Sequence, residues 1–365
     1  MIASVYALVM AGGGGTRFWP RSRQRRPKQF LTLAGERSLL QQAIERLEAL
    51  VPAERTWIVT AADQLPLVQE QLSHVPSQGI LGEPMGRDTA ACIGLGACLI
   101  RKRDPEAIMV VTPADHVIQP LASFHRTVQA GIQLAREQPH ALITLGIPPV
   151  FPATGYGYIQ RGEPLPSRNG IEGFRIARFK EKPDFATAEQ YLQSGQFFWN
   201  SGLFIWRAAA ICAEIQRLQP VLFDALERIA QAWETPQRAA VLQKEYAALP
   251  RISIDHAVME QAREGYVLRA AFRWDDVGSW PALERHHPQD AAGNTVLDAN
   301  HFNLRSRNCI IVGDGQPDQL IATVGVEHLL IVRDGSVVLV ADQRDETGIK
   351  QLVEQLKQQG MERYL

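Results

Sequence analysis

An unbroken apolar run at residues 4–10, SVYALVM, predicts a buried strand, and SLLQQAIERLEAL at 38–50 repeats its apolar positions at helical spacing. The alternation continues with a strand at TWIVT (56–60), a helix from Asp63 and a strand at GILGE (79–83). A helix follows over 88–103, with Asp88 as its expected N-cap, and then a strand at AIMVVTP (107–113). Strands that are apolar throughout and separated by helices are buried on both faces, as in a parallel sheet covered by helices on each side. The expected class is α/β, with a doubly wound, mixed but mainly parallel sheet. Ligands of such sheets lie beyond the carboxyl ends of the strands, which singles out two loops, residues 11–28 and TPADH at 112–116.

From about residue 150 the pattern changes to shorter strands, at 154–162 and 173–183, and then to helices at 184–195 and between Ala208 and Ala248. Beyond residue 294, short Val/Ile/Leu triplets alternate with Gly, Asp and Asn up to 343, which predicts a small β-rich, β-helix-like appendage closed by a helix at 346–359. The expected division is an α/β domain over 1–288 and the β-helix-like domain with its terminal helix over 289–365.

Bulk composition narrows the function only by exclusion. The chain has 365 residues, 38 basic and 39 acidic, for a net charge of −1, so no global field points to nucleic acid or to an anionic membrane. No apolar run is long enough for a membrane span or a signal-peptide core. Cys92, Cys98, Cys212 and Cys309 form no metal-ligand spacing and are expected as reduced core thiols of a cytoplasmic protein. Locally the charge is lopsided. Met1 to Gly35 contains no acid, yet it carries Arg17, Arg21, Arg23, Arg25, Arg26 and Lys28. An organelle transit peptide would share that bias, but the strand at 4–10, the glycines and Pro20 break any amphipathic helix.

Four glycines, Gly12 to Gly15, open this basic loop. A Walker A loop would need a terminal GK[ST], and a dinucleotide fingerprint would open directly into a helix; neither is present. Bare backbone at a strand end can instead form an anion-binding nest, over which a basic loop folds onto a polyphosphate. The order of residues, GGGGTRFWPRSRQRRPKQFL, resembles the signature of the sugar-1-phosphate nucleotidyltransferases, and specifically the mannose-1-phosphate guanylyltransferases. EPMGRDTA (83–90), TPADHVI (112–118), TGYGYI (154–159), FKEKPD (179–184), WNSGLFIW (199–206), SIDHAVME (253–260) and WDDVGSW (274–280) follow in that family's order. Phe18 and Arg21 stand where the family pattern has Leu, and His256 where it has Tyr. Longer members continue into an isomerase domain, so the resemblance implies a monofunctional form.

The resemblance implies a Rossmann-like nucleotidyltransferase fold and transfer of GMP from GTP to α-D-mannose 1-phosphate, giving GDP-mannose and diphosphate. It makes Arg17 and Lys28 the triphosphate-neutralising pair and Asp115 and Asp276 the carboxylates for Mg²⁺, with Asp275 the neighbouring ambiguity. Gly12, Gly13, Gly14, Gly15, Thr16, Glu83, Arg87 and Thr89 fall to the nucleotide, and Gly157, Glu181, Lys182 and Asn200 to the sugar phosphate. GTP and mannose 1-phosphate are the expected partners, with no nucleic acid or membrane, and a homodimer through the C-terminal domain is the oligomer to look for. Two rivals stay open at this point: a glucose-1-phosphate enzyme using UTP, dTTP or ATP, and a non-catalytic nucleotide-sugar sensor.

Overall fold

Each strand expected in the first 113 residues forms. The computed structural model describes residues 3–13 and 16–365, apart from the side chain of Glu346. Strands β1 (Val5–Ala11), β2 (Thr56–Ala61), β3 (Ile80–Glu83) and β4 (Ile108–Pro113) are followed by β5 (Val117–Gln119), β6 (Leu142–Ile147), β7 (Tyr158–Arg168), β8 (Ile171–Lys180), β9 (Phe197–Arg207) and β10 (Gly265–Arg269). All but β5 join one nine-stranded sheet, in the order β3-β2-β1-β4-β9-β6-β10-β8-β7. The first four pair in parallel, as do β6 and β10, while β9 runs antiparallel to both β4 and β6. Strands β7 and β8 form a long antiparallel pair at the far edge.

Helices α1 (Leu39–Glu48), α2 (Leu65–Gln71), α3 (Asp88–Arg103), α4 (Leu121–Glu137), α5 (Phe185–Ser194), α6 (Ala208–Leu218), α7 (Pro220–Ala232), α8 (Arg238–Ala248) and α9 (Ile254–Ala257) supply the connections. Helix α3 is buried nearly all round because it lies between the sheet and a second helical layer. Its glycines permit this. A Cβ on Gly96 would stand 2.6 Å from Leu8 Cδ1, and one on Gly94 would stand 2.5 Å from Leu226 Cδ1. The expected N-cap is corrected: Asp88 has φ +66°, its carboxylate takes the N–H of Thr89, and Arg87 occupies the cap position. The cap at Asp184 of α5 does form, to the N–H of Thr187 at 2.8 Å.

The chain separates into two compact units, and the cut is not a single point in sequence. One contains residues 1–12, 43–114 and 118–274; the other contains 13–42, 115–117 and 275–365. After β11 (Arg273–Asp275), at whose last residue the second unit resumes, come β12 (Thr295–Leu297), β13 (Asn300–Leu304), β14 (Ile310–Val312), β15 (Leu320–Val324), β16 (Leu329–Asp334) and β17 (Val337–Asp342), then α10 (Glu346–Gln358). Strands β12, β14 and β16 stack in parallel, Leu297 beside Val312 beside Val332, and β13 pairs in parallel with β15. Two parallel ladders built from alternating strands are the expected β-helix-like coil. Phe18, Trp19, Leu31 and Leu33 from the basic loop share one buried core with Val277, Trp280, Ile310, Val312, Leu330 and Val332. Phe18, the departure from Leu, is fully buried with its ring 5.0 Å from that of Trp280. No helix among the described residues is long and apolar enough to cross a membrane.

Candidate functional site

The basic loop folds back on the two expected carboxylate segments. Lys28 is only 8% exposed, and its ammonium donates to Asp115 Oδ2 at 2.8 Å and to the carbonyl of Asp276 at 2.5 Å. Arg17 is exposed and donates to the carbonyl of Gly278 at 3.4 Å. Thus the 16–28 loop, residues 115–116 and the 275–278 turn come together within one unit. Surrounding protein pushes the Asp115 carboxyl up, but the Lys28 ammonium and His116, whose Nε2 is 3.7 Å away, outweigh it and hold the group below its ordinary value. Asp115 is an ionised, hard oxygen donor.

Asp275 has a different job. Its carboxylate accepts both nitrogens of Arg285 at 2.6 and 2.8 Å, His286 Nε2 at 2.9 Å and the N–H of Val277 at 2.8 Å. Burial raises its pKa, but those donors overcome it and hold it far below the carboxylate range. They also brace Val277, a β-branched residue at φ +43°, a conformation that is costly and persists only where the surroundings fix it. Asp275 shapes the turn, and Asp276, against whose carboxylate Gly278 lies, is the candidate to face a ligand.

In the other unit, Gly157, Glu181 and Asn200 also meet. A Cβ on Gly157 would lie 2.4 Å from Glu181 Oε2, and the Gly157 carbonyl accepts from the N–H of Asn200 at 2.8 Å. Asn200 uses its amide inside the protein: Nδ2 donates to Asp255 Oδ1 at 2.9 Å, and Oδ1 accepts from Thr144 and from the N–H of Gly202. Asp255, not expected as a site residue, therefore takes the place beside Asn200. Burial and the nearby Glu181 charge push its pKa up to about 7. Two crowded carboxylates make a site that gains from hydroxyl donors. Lys182, at φ +42°, is exposed, with its ammonium 3.3 Å from Glu181. Trp199, Tyr156 and Trp274 form an adjoining aromatic wall with centroids 5.2 Å apart in each consecutive pair, whereas Phe204 and Trp206 stack in the core.

Glu83 closes the end of β3. It is buried, accepts a short hydrogen bond from the Tyr246 hydroxyl, and lies 3.7 Å from where a Cβ on Gly12 would stand. Arg87 donates to the carbonyls of Tyr246 and Ala247, and the Thr89 hydroxyl accepts the N–H of Ile254 at 2.8 Å. Both hold the 83–90 segment to α8 and α9. Gly13 has φ +110° and Thr16 begins a short 3-10 turn, while Gly14 and Gly15 lie outside the described residues. Tyr246 has no motif around it, and only the fold reveals it.

Burial raises the Glu83 carboxyl from 4.5 to about 7, although Tyr246 pulls the other way. The native state therefore holds an extra proton in that window. Its stabilising contribution is complete below the unfolded pKa and is lost as pH rises through about 7. In thermal melts, Glu83→Gln is expected to gain on the native protein by roughly 2–3 kcal/mol between pH 5 and 8. Parallel pH profiles would remove the buried carboxyl from the account.

Comparison with known proteins bears on the whole assembly. The nucleotidyl transferase family model matches residues 6–293, and a MannoseP isomerase/GMP-like beta-helix domain model matches 299–356. The mannose-1-phosphate guanylyltransferase of Klebsiella pneumoniae is 38% identical over 98% of this chain and 75% of its own length. That of Escherichia coli K12 is 36% identical over 98% of this chain and 74% of its own. The chain belongs to the mannose-1-phosphate guanylyltransferase family.

Among solved structures, one described as a mannose-1-phosphate geranyltransferase from Thermus thermophilus superposes with a TM-score of 0.85 at 35% identity, covering 97% of this chain and 99% of that one. As a member of the mannose-1-phosphate guanylyltransferase family, the chain is an enzyme that transfers a nucleotidyl group to a sugar 1-phosphate. It spans about three quarters of these curated relatives.

Proposed function

We propose that the protein transfers GMP from GTP to α-D-mannose 1-phosphate, releasing diphosphate. A phosphate oxygen of the sugar phosphate attacks the α-phosphorus in line, so two anions must approach each other. The chain's contribution is positional and electrostatic, without a covalent nucleophile. The observation that carries the reading is Lys28, buried between Asp115 and the Asp276 backbone with Arg17 on the same loop. A fixed ammonium and an exposed guanidinium on one loop support the reading, because both suit the neutralisation of triphosphate oxygens. Glu181, Asp255 and Lys182 suit the sugar phosphate, the carboxylates accepting from hydroxyls and the ammonium meeting the phosphate. Asn200 orients Asp255, and Gly157 admits the sugar close to the backbone.

Asp115 and Asp276 would hold Mg²⁺. Among the described residues no group of three or more His, Cys, Asp or Glu forms a closed metal site. Two hard carboxylates fit an ion that takes its remaining ligands from phosphate oxygens and water. When bound, it would supply charge neutralisation at the α-phosphate. Lys28 and Arg17 then neutralise the remaining phosphate charge, and Gly12 and Gly13 allow close approach at the end of β1.

The test is a panel of GTP, ATP, UTP and dTTP against mannose and glucose 1-phosphates, scored by diphosphate release. GTP with mannose 1-phosphate is expected to exceed each other pair at least about tenfold in kcat/KM, the discrimination available from a site built around specific hydrogen bonds. A preference for glucose 1-phosphate, or binding without release, would refute the assignment.

A further inference from the structure

The loop that carries Arg17 and Lys28 is tied at three points to the C-terminal part of its own unit. Trp19 Nε1 donates to the Tyr364 carbonyl at 2.7 Å. Arg21 Nη2 donates to the Asp298 carboxylate and to the Gly313 carbonyl, both at 2.6 Å. Arg23 Nη2 donates to the carbonyl and the carboxylate of Asp334, both at 3.1 Å, while its Nε reaches the Pro20 carbonyl at 3.0 Å. Two of the loop's six cations are therefore spent on the β-coil. The Arg21 side chain is only 11% exposed, and both of its contacts go to the β-coil, so its charge is used inside the protein. Its partner Asp298 sits in the left-handed region at φ +49°, in the turn between β12 and β13.

We infer that Arg21 and Arg23 are positioning residues: they anchor the basic loop to the β-coil and thereby set where Arg17 and Lys28 stand. The coil's turns at Asp298 and Asp334 thus govern the nucleotide loop without touching substrate. The inference rests on the proposed function for its kinetic arm alone. Arg21→Ala is expected to lose about fivefold in kcat, Asp298→Ala no more than that because the Gly313 bond survives, and the double variant no more than Arg21→Ala alone. Arg21→Leu, which keeps an apolar stem but no donor, is expected to lose as much as Arg21→Ala.

A raised KM for GTP in Arg21→Ala with native kinetics in Asp298→Ala would show that Arg21 contacts nucleotide and would overturn the inference. So would multiplicative losses in the double variant. A second arm needs no turnover. Arg25 and Arg26 are exposed at the loop tip, and trypsin should cut after Arg25 several-fold faster in Asp298→Ala and Asp334→Ala than in the native protein, with unchanged melting midpoints. Equal cutting rates would overturn the tether even if the GTP reading itself had failed.

Discussion

Asp276→Ala is expected to reduce diphosphate release by about a thousandfold or more while moving the melting midpoint only a few degrees. The substitution spares the Lys28 contact, because Lys28 bonds to the main-chain carbonyl of Asp276, which Ala keeps. The turn around it is held by its neighbour: Asp275 grips Arg285, His286 and the Val277 N–H. Asp275→Ala should show the opposite balance, a marked loss of stability as the bonds from Arg285, His286 and the Val277 N–H are lost. Turnover by Asp276→Ala within tenfold of native would sink the metal-binding role. Equal melting losses in the two variants would sink the division of labour between the adjacent carboxylates.

Lys28→Met should lower kcat/KM for GTP by roughly 10²–10³-fold, the range seen when a preorganised donor to developing charge is removed. Met fills a similar volume in a position that is only 8% exposed, so lost packing contributes little. Lys28→Arg should not restore activity. The site presents one carboxylate oxygen and one carbonyl to a point charge, and a planar fork cannot meet both in the same way. Native-like kcat/KM in Lys28→Met would show that the ammonium is a structural tie to Asp115 and nothing more.

The parallel half of the sheet was legible because its strands are apolar on both faces, so β1, β2, β3 and β4 lie within a residue or so of the runs that announced them. The coil was legible as a texture of short triplets. The partnership of residues 13–42 with 275–365 was not, since local pattern carries no information about which distant segment completes a core. The site divides the same way. Lys28, Asp115 and Asp276 were found by motif and do meet, and Gly157, Glu181 and Asn200 likewise. Asp255 lay inside a quoted motif with nothing to distinguish it until Asn200 was seen to donate to it. The amide of Asn200, the guanidinium of Arg87 and the hydroxyl of Thr89, expected at the ligand, bond in this structure to backbone or side chain, which their residue types alone did not announce. Residue type gives hydrogen-bonding capacity, and only geometry says where that capacity is used.

The unit built from residues 13–42 and 275–365 has a consequence during synthesis. Phe18, Leu31 and Leu33 leave the ribosome early, yet the neighbours that bury them, from Val277 to Val332, emerge more than 240 residues later. Such distant closure is slow, and it leaves an oily nascent segment for chaperones to shield meanwhile. A polypeptide released before residues 275–365 are made would keep a sheet with nothing to seat its basic flap. Competence is therefore acquired only once residues 275–365 have emerged.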